Sequence, residues 1–184
     1  MTLKELKTAL KSPDPLKHDE ALRQFRDGTF GLEALPLLRR LMAKTNGDIT
    51  LVLLAIECVG KLGPEALTCP AGQTYSGPGE VPSELEWQLY VLGGTVWGYS
   101  LYANCYSACL DALVKLQVDE DGLLEYIHNH IGLWCQDDFL DSLKALKTIQ
   151  TPEARDLAKR AVAFWRPELD KTHTKQLEKI LAMK

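Results

Sequence analysis

Apolar residues recur at spacings of three and four along most of the chain, and the most apolar run is "ITLVLLAIECVGKLGPEAL", Ile49 to Leu67. From Ile49 to Leu62 the hydroxyl-bearing and charged positions are Thr50, Glu57 and Lys61, seven and then four residues apart. That spacing places all three on one thin stripe of a helix that is otherwise apolar all round. Asn104, Asp111 and Lys115 repeat the stripe with the same two intervals. A helix of this kind is expected in the centre of a layered core, with neighbours on most sides. It is not expected in a membrane. Its unbroken apolar part, Leu51 to Ile56, falls far short of the ~20 residues a spanning helix needs.

The same pattern recurs elsewhere. "LAIECVGKLG" (Leu54 to Gly63), "ACLDALVKLQ" (Ala108 to Gln117) and "DSLKALKTIQ" (Asp141 to Gln150) align without gaps. Ile56, Leu110 and Leu143 share one column, and Val59, Leu113 and Leu146 share another. Cys58, Ala112 and Ala145 form a small-residue column between them. "EALRQFRDG" (Glu20 to Gly28) joins through Leu22 and Phe25, giving offsets of 34, 54 and 33 residues, so one interval carries about twenty extra residues. A turn and a second apolar-periodic segment follow each aligned helix. Pro64 and Pro152 suit a first helical turn, where the missing N–H costs nothing, and Asp119 and Thr151 suit N-caps. The unit is a helix pair of about 33 residues that buries its faces by stacking on its neighbours.

"LEALPLLRRLM" with "ITLVLLAIECVGKLGPEAL", and then "FLDSLKALKTIQTPEARDLAKRA", resemble HEAT-type repeats, the armadillo-like class that includes short bacterial HEAT and phycobilin-lyase-like repeats. The resemblance implies an all-α fold: a HEAT-like α-α superhelix (solenoid) of about four helix pairs in one domain over residues 1–184. "KSPDPLKHDEALRQF" would cap its front, and "RPELDKTHTKQLEKILAMK", with Leu169, Leu177, Ile180 and Leu181 on one face, its back. Such repeats often carry an Asp and an Arg near the start of the second helix, whereas here Asp48 is followed by Ile49 and no Arg.

The third unit is interrupted by "TCPAGQTYSGPGEVPS", whose Gly, Pro, Ser and Thr content predicts a loop, the insertion over 68–82. Ser83 is then expected to cap a short helix ending at Gly93-Gly94, with another helix entered near Tyr99. A hairpin turning at Gly93-Gly94, with Trp87, Leu89 and Val91 alternating, is the rival reading. Trp87, Tyr90, Trp97, Tyr99, Tyr102 and Tyr106 crowd into this stretch. Core packing would account for them, but Trp and Tyr also anchor interfaces. Trp87, Tyr90, Trp97, Tyr99 and Tyr102 are therefore the predicted binding residues, within a recognition element running from Cys69 to Tyr102.

Charge changes the list of partners. Lys and Arg number 21 against 25 Asp and Glu, a formal net charge of −4 spread along the chain. No basic stripe is available to neutralise phosphates, so nucleic acid is not an expected partner, and a protein with a basic surface is. The five cysteines, Cys58, Cys69, Cys105, Cys109 and Cys135, are odd in number, and four lie in apolar helix-like runs. Reduced thiols and a cytoplasmic chain are expected. "MTLKELKTALKSPDP" has no apolar core followed by a small-residue cleavage site, which predicts no signal peptide.

Chemical motifs are sparse. Glu125 and His128 give a single E-x-x-H, where carboxylate-bridged di-iron sites use two copies and two further carboxylates. His128 and His130, two apart, point to nearly opposite sides of a helix. HEAT-like deoxyhypusine hydroxylases hold iron with repeated His-Glu dipeptides. Here "HDE", His18 to Glu20, occurs once with a residue intervening. Cys105 and Cys109 share a helical face but lack the other two ligands of a structural zinc, so they read as small core residues. No G-x-S-x-G occurs, and "GQTYSGPG" lacks the Lys-Ser/Thr of a phosphate loop. The basic, aromatic concave face of HEAT-like DNA glycosylases is also missing.

The sequence thus predicts a non-catalytic protein-interaction module with no cofactor, no metal ligands and no catalytic residues. An adaptor, an assembly factor and a bacterial immunity protein that covers a toxin's site are the roles such a module fills. The competing class is a HEAT-like enzyme or cofactor-handling protein such as a bilin lyase.

Overall fold

The computed structural model describes residues 1–43, 49–68, 84–93, 105–130, 135–149 and 151–183, and every element among them is helical. In chain order these are α1 (Leu3–Ala9), α2 (Pro15–Arg26), a 3-10 turn (Leu32–Ala34), α3 (Leu35–Met42), α4 (Ile49–Gly60), α5 (Glu65–Thr68), α6 (Glu84–Gly93) and α7 (Tyr106–Lys115). Then come α8 (Glu120–His130), α9 (Gln136–Thr148), α10 (Pro152–Trp165), a second 3-10 turn (Arg166–Glu168) and α11 (Lys171–Ala182). The chain divides into two compact units, Met1–Val118 and Asp119–Lys184.

Helix starts follow the expected chemistry. Thr151 Oγ1 accepts the Ala154 N–H ahead of Pro152, and Asp119 Oδ1 accepts the Gly122 N–H at 2.7 Å. Asp14 caps α2 ahead of Pro15, Asp170 accepts the Thr172 and His173 N–H groups at the head of α11, and Thr2 and Glu5 close a capping box on α1. After α4, Gly63 at φ +77° takes a left-handed position that ends the helix, and among the described residues the turn of α5 follows it.

In the first unit α4 is the central helix, packed on α2, α3 and α7. Val52, Leu54, Ala55, Ile56, Cys58, Val59 and Gly60 are all buried. The aligned columns are buried throughout: Leu22 and Phe25 on α2, Ile56 and Val59 on α4, Leu110 and Leu113 on α7, and, in the second unit, Leu143 and Leu146 on α9. The polar stripe of α4 meets the end of α2. Arg26 Nη1 donates to Glu57 Oε2 at 2.7 Å, and Lys61 Nζ donates to the Arg26 carbonyl at 2.6 Å, a cation on an open helix C-terminus. The later stripe closes on itself, with Lys115 Nζ 2.5 Å from Asp111 Oδ2.

Helix α6 packs on α7. It also reaches α3: Arg39 Nε donates to Gln88 Oε1, and Gln88 Nε2 donates to the Arg39 carbonyl. Residues 84–93 are therefore helical, and the alternating hairpin strand does not form there, because α7 and α3 supply the surfaces that a helix at this place covers. Ser83 and the expected helix entry near Tyr99 lie outside the described residues.

In the second unit α9 carries the core. Phe139, Leu140, Leu143 and Leu146 are buried, and α10 and α11 both pack on it. Polar links among the described residues hold α11. His173 Nε2 lies 3.1 Å from Asp137 Oδ1 on α9, and Arg166 Nη2 donates to Glu178 Oε1 at 2.6 Å. Lys147 Nζ donates to the carbonyls of Ile180, Leu181 and Met183 at the end of α11. The expected apolar face of α11 is narrower than its sequence suggests. Leu177 and Ile180 are buried, Leu169 precedes the cap at Asp170, and Leu181 faces outward.

Candidate functional site

The predicted binding residues divide between the described and the undescribed parts of the chain. Trp87 and Tyr90 both belong to α6, and Tyr90 is half-buried. Trp97, Tyr99 and Tyr102, and the insertion over 69–82, lie outside the described residues. Tyr106, adjoining the aromatic set, is a fully buried core residue of α7.

Other predicted chemistry resolves into packing. Cys58, Cys105 and Cys109 are buried, as small core residues should be. Burial pushes the Cys58 thiol up to about 12 and the Cys109 thiol well above its ordinary range, so neither supplies a thiolate. His130 is buried, with Nδ1 2.6 Å from the Tyr126 carbonyl and its ring 4.4 Å from the Tyr126 ring. Buried Asp138 accepts the Cys135 N–H at the start of α9, and Ser142 Oγ donates to the Asp138 carbonyl. These groups serve the helix start. Among the described residues no three His, Cys, Asp or Glu side chains are grouped to hold a metal ion.

The surface that stands out belongs to α10, which forms a wall of two grooves. Helical geometry separates its side chains. Ala154, Leu157 and Ala161 are buried. Glu153, Asp156 and Arg160 flank this seam on one side, and Ala158, Val162, Lys159 and Ala163 on the other.

The first groove, between α8 and α10, encloses about 570 Å³. Leu124 and Leu157 supply its apolar lining, and Asp121, Glu125, Glu153 and Asp156 surround them. Arg160 Nε lies 2.9 Å from Asp156 Oδ2 and neutralises one carboxylate, which leaves the groove acidic. The E-x-x-H pair lies here: Glu125 and His128 both line the groove, and both are exposed. Phe164 follows Glu153, Leu157 and Arg160 on the same side of α10 and is 70% exposed. It meets Trp165 edge-on at 5.7 Å between ring centres, and Trp165 stacks on Phe139 of α9 at 5.8 Å. The exposed ring is thus seated on an aromatic stack that runs into the core.

The second groove lies on the other side of α10, against α9 and α11, and encloses about 630 Å³. Leu143, Ala158, Val162, Ala163, Pro167 and Leu181 give it an apolar lining, and its charged lining residues, Lys147, Lys159 and Arg166, are all cationic.

Neither groove is apparent in the repeat pattern, which finds the buried columns and leaves the rest of each helix unassigned. A signal does exist in "PEARDLAKRAVAFW": its apolar residues cover more of the helix circumference than one packing partner can bury.

No protein-family model matches the chain, and no curated protein or solved structure matches it significantly. Its functional reading rests on the residues themselves.

Proposed function

We propose that this protein is a non-catalytic protein-binding module of stacked helix pairs, and that the acidic groove between α8 and α10, with Phe164 beside it, holds a partner with a basic surface. The observation that carries the reading is Phe164. A phenylalanine left 70% in water, one helical turn beyond Arg160 on the side of α10 that lines the acidic groove, forgoes the burial that would stabilise it in a core, and such a ring fits as an apolar anchor at the end of a groove whose carboxylates steer the partner. The candidate reactive groups of the chain favour binding over chemistry. In the first unit the thiols of Cys58 and Cys109 are held in their neutral form, and in the second the buried His130 and Asp138 are engaged with neighbouring backbone groups.

The HEAT-like repeat is the architecture this proposal assumes. Its support is the burial of the two large columns on α2, α4, α7 and α9, together with the packing of α4 between α2 and α7. Among the described residues no helix is long and apolar enough to cross a membrane. A cytoplasmic adaptor, assembly factor or immunity protein fits these properties, and Trp87, Tyr90, Trp97, Tyr99 and Tyr102 remain its proposed second contact region.

Capture from the native cell tests the proposal. The full chain should retain a basic protein, which is lost with Phe164→Ala and with Glu153→Lys combined with Asp156→Lys. Retention of the same proteins by all three chains would sink the proposed site. A version lacking 68–82 tests the insertion in parallel, and an unchanged partner list would remove it.

A further inference from the structure

The groove on the other side of α10 calls for a different ligand, and we infer that it is a docking site for an acidic amphipathic helix of a second protein. The site is distinct from the acidic groove, since the two share no lining residue. Its lining is apolar through Leu143 of α9, Ala158, Val162 and Ala163 of α10, and Leu181 of α11, and Leu181 is 41% exposed. An apolar floor rimmed by charge is the lining on which the apolar face of an amphipathic segment can seat.

Charge selects the occupant. In a chain of net charge −4, the charged residues lining this groove are Lys147, Lys159 and Arg166, with no carboxylate among them. Their fixed partners leave most of that charge in place. Lys147 Nζ is held by main-chain carbonyls at the end of α11, which position the ammonium without cancelling it. Arg166 shares its charge with Glu178, and Lys159 makes no ion pair among the described residues. An occupant with apolar anchors flanked by Asp and Glu complements this arrangement, whereas a basic one would be repelled.

Shape selects a helix. Main-chain pairing with an extended peptide needs an exposed sheet edge, and the described residues contain no strand. A groove walled by helices accepts an amphipathic helix through anchors spaced i, i+3 or i+4, and i+7. The volume of about 630 Å³ also suits a fatty-acid-like anion, so the test has to separate the two.

Two synthetic helical peptides with the same leucine spacing, one carrying Glu and the other Lys beside the leucines, are titrated into isotope-labelled full-length protein, with dodecanoate as a third ligand. Amide NMR signals report where each binds. The acidic peptide should shift Ala158, Val162, Ala163 and Leu181, and should weaken as salt is raised. Lys159→Glu should weaken it about tenfold and favour the Lys peptide. Val162→Glu should abolish binding, with the remaining signals of each variant unchanged as proof of folding. Equal binding of both peptides, or no shift with the acidic one, overturns the inference. So does dodecanoate shifting these residues when the acidic peptide does not.

Discussion

Gly60 of α4 sits against Ala112 of α7 so closely that a Cβ on Gly60 would lie 3.1 Å from the Ala112 Cα and 3.4 Å from its Cβ. The two residues belong to helices that the repeat alignment superposes, and the contact sets how near those helices approach. Gly60→Ala gains helix propensity but forces a shift of a few tenths of an ångström, so its net effect is small. Gly60→Leu has to separate α4 from α7 and should cost roughly 1–3 kcal/mol, read as a lower urea midpoint. A Leu variant as stable as the parent would contradict the close approach.

The link between Arg26 and Glu57, with side chains 26% and 43% exposed, is screened by solvent. Glu57→Gln should therefore cost less than about 1 kcal/mol, and the difference should shrink in high salt. Lys61→Met, which strips the cation from the α2 C-terminus, should cost a similar amount. Chemical denaturation at low and high salt checks both.

His173 makes the attachment of α11 pH-dependent. Asp170 first, and then Asp137, raise its folded-state pKa above the ordinary 6.5. The protonated ring is the form that the folded state favours. This contribution is fully present below about 6.5 and is lost as pH rises through the folded-state pKa. Thermal unfolding of the parent and of His173→Gln at a series of pH values should show the parent's advantage declining over that interval. A constant difference would place the stabilisation elsewhere. The Asp170 carboxyl runs the other way: His173 and the backbone N–H groups it caps hold it below the usual range, and its contribution is lost as the medium is acidified through that lowered pKa.

Among the four described cysteines, Cys135 is the exposed one, and Cys58, Cys105 and Cys109 are buried. Brief alkylation of the native protein, followed by peptide mass mapping, should label Cys135 and leave those three unmodified until the chain is unfolded. Rapid labelling of Cys58 or Cys109 would contradict the packing of α4 and α7.

Much of the helical frame was legible because it obeys local rules. The aligned large residues mark buried columns, Thr151 with Pro152 and Asp119 announce helix starts, and Thr50, Glu57 and Lys61 mark the polar side of α4. The proposed interaction surface was not legible in the same way. Phe164 follows the 3.6-residue period like any core residue, and only the geometry around α10 leaves its ring outside. The two grooves depend on where α8 and α11 lie beside α10, which no single helix encodes. Leu181 shows the same effect, since it matches the apolar face of its helix yet lines a groove. The aromatic insertion, the feature most prominent in the sequence, falls largely outside the described residues, and Trp97, Tyr99 and Tyr102 are proposed contacts.

Site-specific photo-cross-linking tests the central claim most directly. The full chain carries p-benzoylphenylalanine in place of Phe164 or, as a control on an exposed position of α2, in place of Lys17, and is irradiated in the native cell. The account predicts one dominant cross-linked adduct at position 164, with a partner whose cross-linked surface is basic, and none of that partner at position 17. Absence of an adduct at 164, or the same adducts at both positions, would contradict it.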